Sequence, residues 1–365
     1  MVSETSEQTK LHLLDMTPDS LSAALVEMGE PAYRGKQILQ WVYERNAATW
    51  EEMTNLSKAL RERLAEKFVI YSSEVVRRAA SNDGTVKLLL RWPDGATSEC
   101  VMIPTETHKT ACLSSQVGCP VGCRFCASGL DGLQRNLSTG QIIEQAMYAR
   151  REALAAGDRL SNIVYMGLGE PLANYDNVIA SVQIINAEWG MGIGARKITI
   201  STVGLPMQIR KLAHEGIQLN LALSLHAPND ALRRELIPWA EKIGIRDLTD
   251  ACATYFEMTG REITLEYTLL AGTNDSDEHA RELSRFVRRL RCNVNLLRYN
   301  PVDSLPYKRP SAEAAHAFLE RLRSLGVNAH IRKSRGKDID AACGQLRRRE
   351  MQGKSDGISL PVVDG

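Results

Sequence analysis

Cys112-Leu-Ser-Ser-Gln-Val-Gly-Cys-Pro-Val-Gly-Cys-Arg-Phe-Cys126 decides how the rest of the chain is read. Within it Cys119, Cys123 and Cys126 form a C-x3-C-x2-C run, with no fourth cysteine close behind. Thiolates so spaced suit an iron–sulfur cluster or zinc. A structural zinc site or an ordinary ferredoxin cluster takes four ligands. Three ligands leave one metal corner open, where a small molecule can be chelated and activated. Neither Cys112 nor His108 sits at the usual spacing to complete a zinc knuckle. The spacing favours an open cluster.

Downstream of this loop strands and helices alternate. Strands are expected at Thr110–Ser114, Asn162–Met166, Lys197–Ser201, Leu219–Ser224, Ile263–Leu269 and Asn293–Tyr299, each followed by helical periodicity. Ser138 and Gln141 form a capping-box pattern at the head of the first helix. Six βα units imply a parallel sheet with outer helices, α/β in class, and are too few for a closed eight-unit barrel. A doubly wound sheet and an open (β/α)6 partial barrel both meet this count. The barrel is favoured because the polar motifs fall at strand ends, where α/β barrels gather their active sites. The cysteine loop follows the first strand and Met166-Gly-Leu-Gly-Glu-Pro-Leu172 the second. Gly169 lets backbone approach a ligand, and Glu170 offers an acceptor to an ammonium group. Ser201, then Ser224-Leu225-His226, then Asn300 close the third, fourth and sixth strands. Strand-end capping explains any one of these residues more readily than the set.

Upstream, Val86–Trp92 and Ser98–Pro104 read as a hairpin around Pro93-Asp94-Gly95. Glu99, near the start of its second strand, reads by itself as an exposed carboxylate. Earlier still, Ile38, Trp41 and Val42 share a helix face, and Leu56, Leu60 and Leu64 repeat every four residues, with Lys and Arg on the remaining surface. The expected organisation is a helical accessory domain at 1–72, a β-hairpin linker at 73–104, a catalytic domain at 105–350 and a tail at 351–365. Far downstream Asp340-Ala-Ala-Cys-Gly-Gln-Leu346 carries a lone Cys343, of a kind that is more often an inert buried thiol.

Composition adds little about partners: 45 Lys and Arg against 44 Asp and Glu leave a net charge of +1. Arg321–Glu350 holds nine Lys or Arg against three acids, a local +6 that fits either a solvated face or a phosphate-contacting edge. The first residues lack a basic region followed by an apolar core, so no signal peptide is expected. No apolar run of about 18 residues occurs, so no membrane span is expected. Eight cysteines, three clustered and the rest scattered, do not form a secreted disulfide scaffold. The expectation is a cytoplasmic protein with reduced thiols.

The cysteine run resembles the signature of radical S-adenosylmethionine (SAM) enzymes. Its flank, Cys112-Leu-Ser-Ser-Gln-Val-Gly, narrows the resemblance to the RlmN/Cfr family of RNA adenosine methyltransferases, from about Glu99 to Leu346. That resemblance implies an open (β/α)6 partial TIM barrel of radical SAM type with a small N-terminal helical domain that binds RNA. It implies one [4Fe–4S] cluster on Cys119, Cys123 and Cys126, and two SAM molecules per turnover. It assigns SAM contacts to Gly169, Glu170, Ser201, Ser224, Leu225, His226 and Asn300. Cys343 becomes the methyl-carrying cysteine, Cys112 the thiol that resolves it through a transient disulfide, and Glu99 the proton acceptor. The implied substrates are an adenosine in the peptidyl-transferase region of 23S rRNA and the adenosine 3′ of certain tRNA anticodons, methylated at C2. A one-electron reductant such as flavodoxin and a monomeric protein are implied too. Methylation at C8, as in the Cfr branch, is the rival within the family, and Gly169-Glu170-Pro171 looks closer to the C2 branch. An iron–sulfur protein without catalysis accounts for the three cysteines but not for Glu170, Asn300 or Cys343. A zinc-stabilised RNA-binding module is the remaining alternative, separable by metal analysis.

Overall fold

The computed structural model describes residues 10–346. The N-terminal module comprises β1 (Leu11–His12), α1 (Pro18–Glu27), α2 (Arg34–Tyr43), α3 (Lys58–Lys67) and β2 (Phe68–Val69), with β1 and β2 paired in parallel. Thr17 and Ser20 cap α1 reciprocally and Pro18 opens its first turn, satisfying amide groups that a helix start leaves bare. Ile38, Val42, Leu56, Leu60 and Leu64 are buried, and Trp41 is half-buried beside them.

The rest of the chain is built on one ten-stranded sheet. Its antiparallel end is β3 (Glu74–Ala80), β4 (Val86–Arg91) and β5 (Thr97–Pro104), and β5 pairs with β6 (Lys109–Cys112). A two-stranded ribbon, β7 (Gln116–Gly118) and β8 (Leu133–Asn136), brackets the cysteine loop. Then come α4 (Thr139–Ala155), β9 (Leu160–Tyr165), α5 (Tyr175–Asn186), β10 (Ile198–Thr202), α6 (Pro206–Ala213) and β11 (Asn220–Ser224). They are followed by α7 (Asp230–Leu236), α8 (Ile245–Thr259), β12 (Ile263–Leu269), α9 (Asp277–Val287), β13 (Cys292–Arg298), α10 (Ala312–Ser324) and β14 (Ala329–Arg332). The strand order is β14-β13-β12-β11-β10-β9-β6-β5-β4-β3, parallel from β14 to β6. β14 does not pair back onto β6, so the six βα units plus one further strand form an open partial barrel. The hairpin expected as a linker extends this same sheet through β5.

Alternation along the strands separates two faces. In β12, Ile263, Leu265, Tyr267 and Leu269 are fully buried, and Tyr267 stacks on Phe318 of α10. Glu266 and Thr268 point the other way, into the barrel. The N-terminal module is fastened to α4 by a buried carboxylate. Glu144 accepts hydrogen bonds from His12 Nε2 (2.9 Å), Ser72 N (2.9 Å), Ser73 N (2.8 Å) and the Ser73 hydroxyl. Arg150 and Arg151 donate to the carbonyls of Tyr43 and Asn46 at 2.6 and 2.9 Å. Among the described residues no helix is long and apolar enough to cross a membrane.

Arg347, Arg348, Arg349 and Glu350 of the +6 segment, and the tail at 351–365, lie outside the described residues. Within it, Arg321 and Arg323 pair with Asp277 and Glu320 on the outer surface, while Arg332 turns into the barrel.

Candidate active site

The cysteine loop is shaped first by glycine. Gly118 has φ +77°, and a Cβ there would collide with the carbonyl of Gly132. That close approach lets Cys119 N donate to Gly132 O at 3.1 Å and closes the loop at its neck. Val121 and Phe125 anchor it in an apolar cluster with Leu236, Ile237 and Leu270. Cys119, Cys123 and Cys126 then line one cavity, about 1070 Å³ including its open mouth. Burial pushes the Cys119 thiol up to about 12 and raises Cys123 and Cys126, so all three are protonated until a metal displaces the protons. Among the described residues no three His, Cys, Asp or Glu side chains converge to hold a single ion.

The strand ends supply the facing wall. Gly169 has φ +101°, and a Cβ there would lie 2.6 Å from Gln116 Cβ, so only glycine brings this turn against the cysteine loop. Glu170 is buried, accepting from Leu172 N (2.9 Å) and Val203 N (2.7 Å), and burial raises its carboxyl to about 7. Ser201 and Ser224 Oγ atoms are 3.2 Å apart on neighbouring strands. His226 takes φ +56° and its Nδ1 accepts from Thr268 N at 3.1 Å, leaving Nε2–H free to donate. Burial and Arg233 hold His226 down at about 3, so it is neutral. Leu225, expected among the SAM contacts, instead buries its side chain in the core and offers only backbone.

Glu266 was not singled out from sequence, although a carboxylate amid apolar strand residues is a signal. It is 6% exposed; Oε1 accepts from Asn295 Nδ2 at 2.9 Å, while Oε2 has no partner and the residue lines the cavity. Burial raises its pKa. A buried acceptor facing an opening calls for a donor from a ligand.

Cys343 lies on a loop gripped from several sides. Gly336 N donates to Asp83 Oδ2 (3.0 Å), and Ser81 Oγ donates to Asp338 Oδ1 (2.5 Å). Lys87 Nζ donates to the carbonyl of Asp340 (3.0 Å), and Asn300 Nδ2 to that of Cys343 (3.3 Å). Ala127 N, one residue past the last cysteine of the cluster motif, donates to Gly344 O at 2.8 Å. Cys343 is exposed at the junction of the first cavity and a second one. Cys112 is buried nearby, packed with Val101, Leu168, Ala341 and Leu346, and burial pushes its thiol up to about 12. Arg332 feels both thiols: the charge of Cys343, then those of Glu266 and Cys112, raise its pKa against the effect of burial. Glu99 is not the exposed carboxylate its strand position suggested. It is 5% exposed and ion-paired with Lys87 at 2.9 Å. The structure thus gathers Cys119, Cys123, Cys126, Gly169, Glu170, Ser201, Ser224, His226, Asn300 and Cys343 around one cavity, with Cys112 and Glu99 outside its lining.

These residues fit a [4Fe–4S] cluster and SAM. Three thiols leave one metal corner open, Glu170 suits an ammonium group, and the free oxygen of Glu266 suits a hydroxyl or amino donor.

The similarities to known proteins agree with this geometry. Residues 11–70 match the ribosomal RNA large subunit methyltransferase N-terminal domain, and residues 113–284 match the radical SAM superfamily. The chain is 48% identical to a probable dual-specificity RNA methyltransferase RlmN of Rhodopirellula baltica, over 97% of this chain and 95% of that one. It is 46% identical to the protein of the same description from Thermosynechococcus vestitus, over 93% and 99%. A crystal structure of a radical SAM methyltransferase from Sphaerobacter thermophilus superimposes with a TM-score of 0.91 at 46% identity, covering 93% of this chain and all of that one. With a thiol triad at the mouth of an open partial barrel and relatives matching it nearly end to end, the chain belongs to the RlmN family of radical SAM RNA methyltransferases.

Proposed function

We propose that the protein methylates C2 of an adenosine in the peptidyl-transferase region of 23S rRNA and of the adenosine 3′ of the anticodon in tRNAs. The observation that carries this reading is the placement of Cys343. It is exposed at the mouth of the cavity that the cluster cysteines line, with Cys112 buried nearby and Arg332 within electrostatic reach of both thiols. The C2 position of adenine is electron-poor and no nucleophile, so direct polar transfer from SAM fails. When bound, the cluster and SAM supply one-electron chemistry able to abstract hydrogen from a methyl group. Cys119, Cys123 and Cys126 hold the cluster. Gly169, Glu170, Ser201, Ser224, His226 and Asn300 hold SAM, with Leu225 contributing backbone alone.

Cys343 carries the one-carbon unit as a thioether and presents it to adenine. Glu99 accepts the proton lost from the ring. Once the adduct has given up its unpaired electron to the one-electron carrier, the Cys112 thiolate attacks the sulfur of Cys343. The S–S bond forms, the S–C bond breaks, its electron pair leaves with carbon and is protonated to the product methyl, and an external dithiol reduces the disulfide before the next turnover. Arg332 favours the thiolate at this step, opposing the burial that keeps Cys112 protonated at rest. Two SAM molecules would be used per turnover, one supplying the methyl that Cys343 carries and one the one-electron chemistry. A one-electron reductant such as flavodoxin, a monomeric enzyme and a cytoplasmic setting with free thiols complete the reading.

The test is anaerobic turnover of reconstituted protein with SAM, reductant and an rRNA fragment or tRNA, followed by nucleoside mass spectrometry. The expected product is 2-methyladenosine. Exclusive 8-methyladenosine, or no methylated adenosine, would overturn the assignment.

A further inference from the structure

A second cavity, about 1000 Å³ including its open mouth, meets the first at Cys343. Its polar lining includes His108, Asn300, Arg332, Lys333, Ser334 and Arg335, and no carboxylate lines it. Most cations of a folded surface find an acid nearby, as Arg321 and Arg323 do on the outer face of this protein. Here they do not. Among the described residues Lys333, Arg335 and Lys337 make no ion pair. Arg298 and Arg309 nearby spend their donors on carbonyls and on Asn300 rather than on carboxylates. The crowding is felt: burial first, then the charges of Arg309 and Arg298, lower the pKa of Lys337. Nearby acids are engaged elsewhere, Asp83 by Gly336 N and Thr85 N and Asp338 by Ser81 and Asn82. Like charges so gathered cost free energy unless an anion arrives, and the opening beside them leads to the exposed thiol.

We propose that this second cavity and its rim bind the RNA backbone around the target nucleotide. Lys333, Arg335 and Lys337 neutralise phosphates, so that one unstacked base reaches Cys343. The assignment rests on the RNA methyltransferase reading and goes beyond it by naming the contact surface. An enzyme acting on a base must take that base out of its stack, and holding phosphates on either side fixes its register. The loop that carries Cys343 begins at Gly336, between the cations at 335 and 337, so RNA contact and presentation of the thiol occur on one stretch of chain.

The experiment measures binding of reconstituted protein to a short RNA hairpin with an unpaired loop adenosine, by fluorescence anisotropy across a KCl series. Lys333→Gln, Arg335→Gln and Lys337→Gln are combined in one variant. A control variant carries Lys36→Gln, Arg45→Gln and Lys58→Gln on the N-terminal module. Each phosphate contact contributes roughly 0.7–0.9 to the slope of log Kd against log salt. The first variant is expected to lose about 2 from that slope and to bind at least tenfold more weakly, while SAM retention in equilibrium dialysis shows it folded. The control is expected to lose less. An unchanged slope in the first variant, or a larger loss in the control, overturns the assignment alone. Wild-type protein that binds no RNA overturns it together with the reading beneath it.

Discussion

Lys87 Nζ lies 2.9 Å from Glu99 Oε1, in an ion pair whose side chains are 13% and 7% exposed. The same ammonium donates to the carbonyl of Asp340, three residues before Cys343. One lysine therefore ties the proposed proton acceptor to the loop that presents the thiol. Lys87→Met removes the cation from a buried carboxylate, which costs about 3–5 kcal/mol. Denaturant unfolding should show this loss, and methylation should fall at least tenfold. Adding Glu99→Gln should restore much of the stability and none of the methylation. Wild-type stability in Lys87→Met would show that the pair is not coupled.

Glu266→Gln keeps an acceptor for Asn295 and replaces the unpartnered oxygen with a donor. Stability should hold or rise, because a buried carboxyl is removed. SAM binding should weaken about tenfold, the worth of one hydrogen bond to a charged group. Equilibrium dialysis of reconstituted protein measures this, and unchanged affinity would return Glu266 to a structural role.

Glu144 joins the N-terminal module to α4. Burial alone would raise its pKa, but hydrogen bonds from His12 and Ser73, His12's charge and the Ser72 amide hold it below the ordinary value. A depressed folded pKa gives stability that is present above the unfolded value of about 4.3 and is lost as pH falls through the folded one. Unfolding of wild-type protein should show this acid-side loss. Glu144→Ala should remove it and cost about 2–4 kcal/mol at neutral pH, since five donors lose their acceptor. An equal acid-side loss in the variant would locate the effect elsewhere.

Gly118→Ala tests the neck of the cysteine loop. A Cβ meeting the Gly132 carbonyl, at a φ that L residues rarely adopt, should open the loop. Iron content after anaerobic reconstitution should fall well below four per chain, and Cys123→Ala should abolish the cluster. Full iron loading in either variant contradicts the assigned geometry.

Much of this was legible in the sequence because period and turn chemistry are local. The six expected strands coincide with β6 and β9 to β13 to within two residues at most ends, since alternating β-branched runs between helices admit few other readings. β14 escaped notice because Ala329-His-Ile-Arg332 is short and polar and merges with the basic stretch around it. Its partner β13 identifies it, and pairing is not local. The surroundings of Glu99 and Arg332 are hidden for one reason: Glu99 by itself reads as exposed, Arg332 is one cation of the +6 segment, and each is covered by chain from far away. The hairpin's role was hidden likewise, because Ser81, Asp83 and Lys87 act on residues some 250 positions downstream.

The two cysteines at the centre of the account are separable by one gel. Cys343→Ala lacks the methyl acceptor, so it should form neither product nor covalent adduct. Cys112→Ala still allows the carbon unit on Cys343 to join adenine but lacks the thiol that releases it. Protein purified from cells should then carry RNA joined through Cys343, seen on a denaturing gel as a shifted band that ribonuclease collapses. A Cys112→Ala protein that runs clean and still turns over would contradict the two-thiol mechanism.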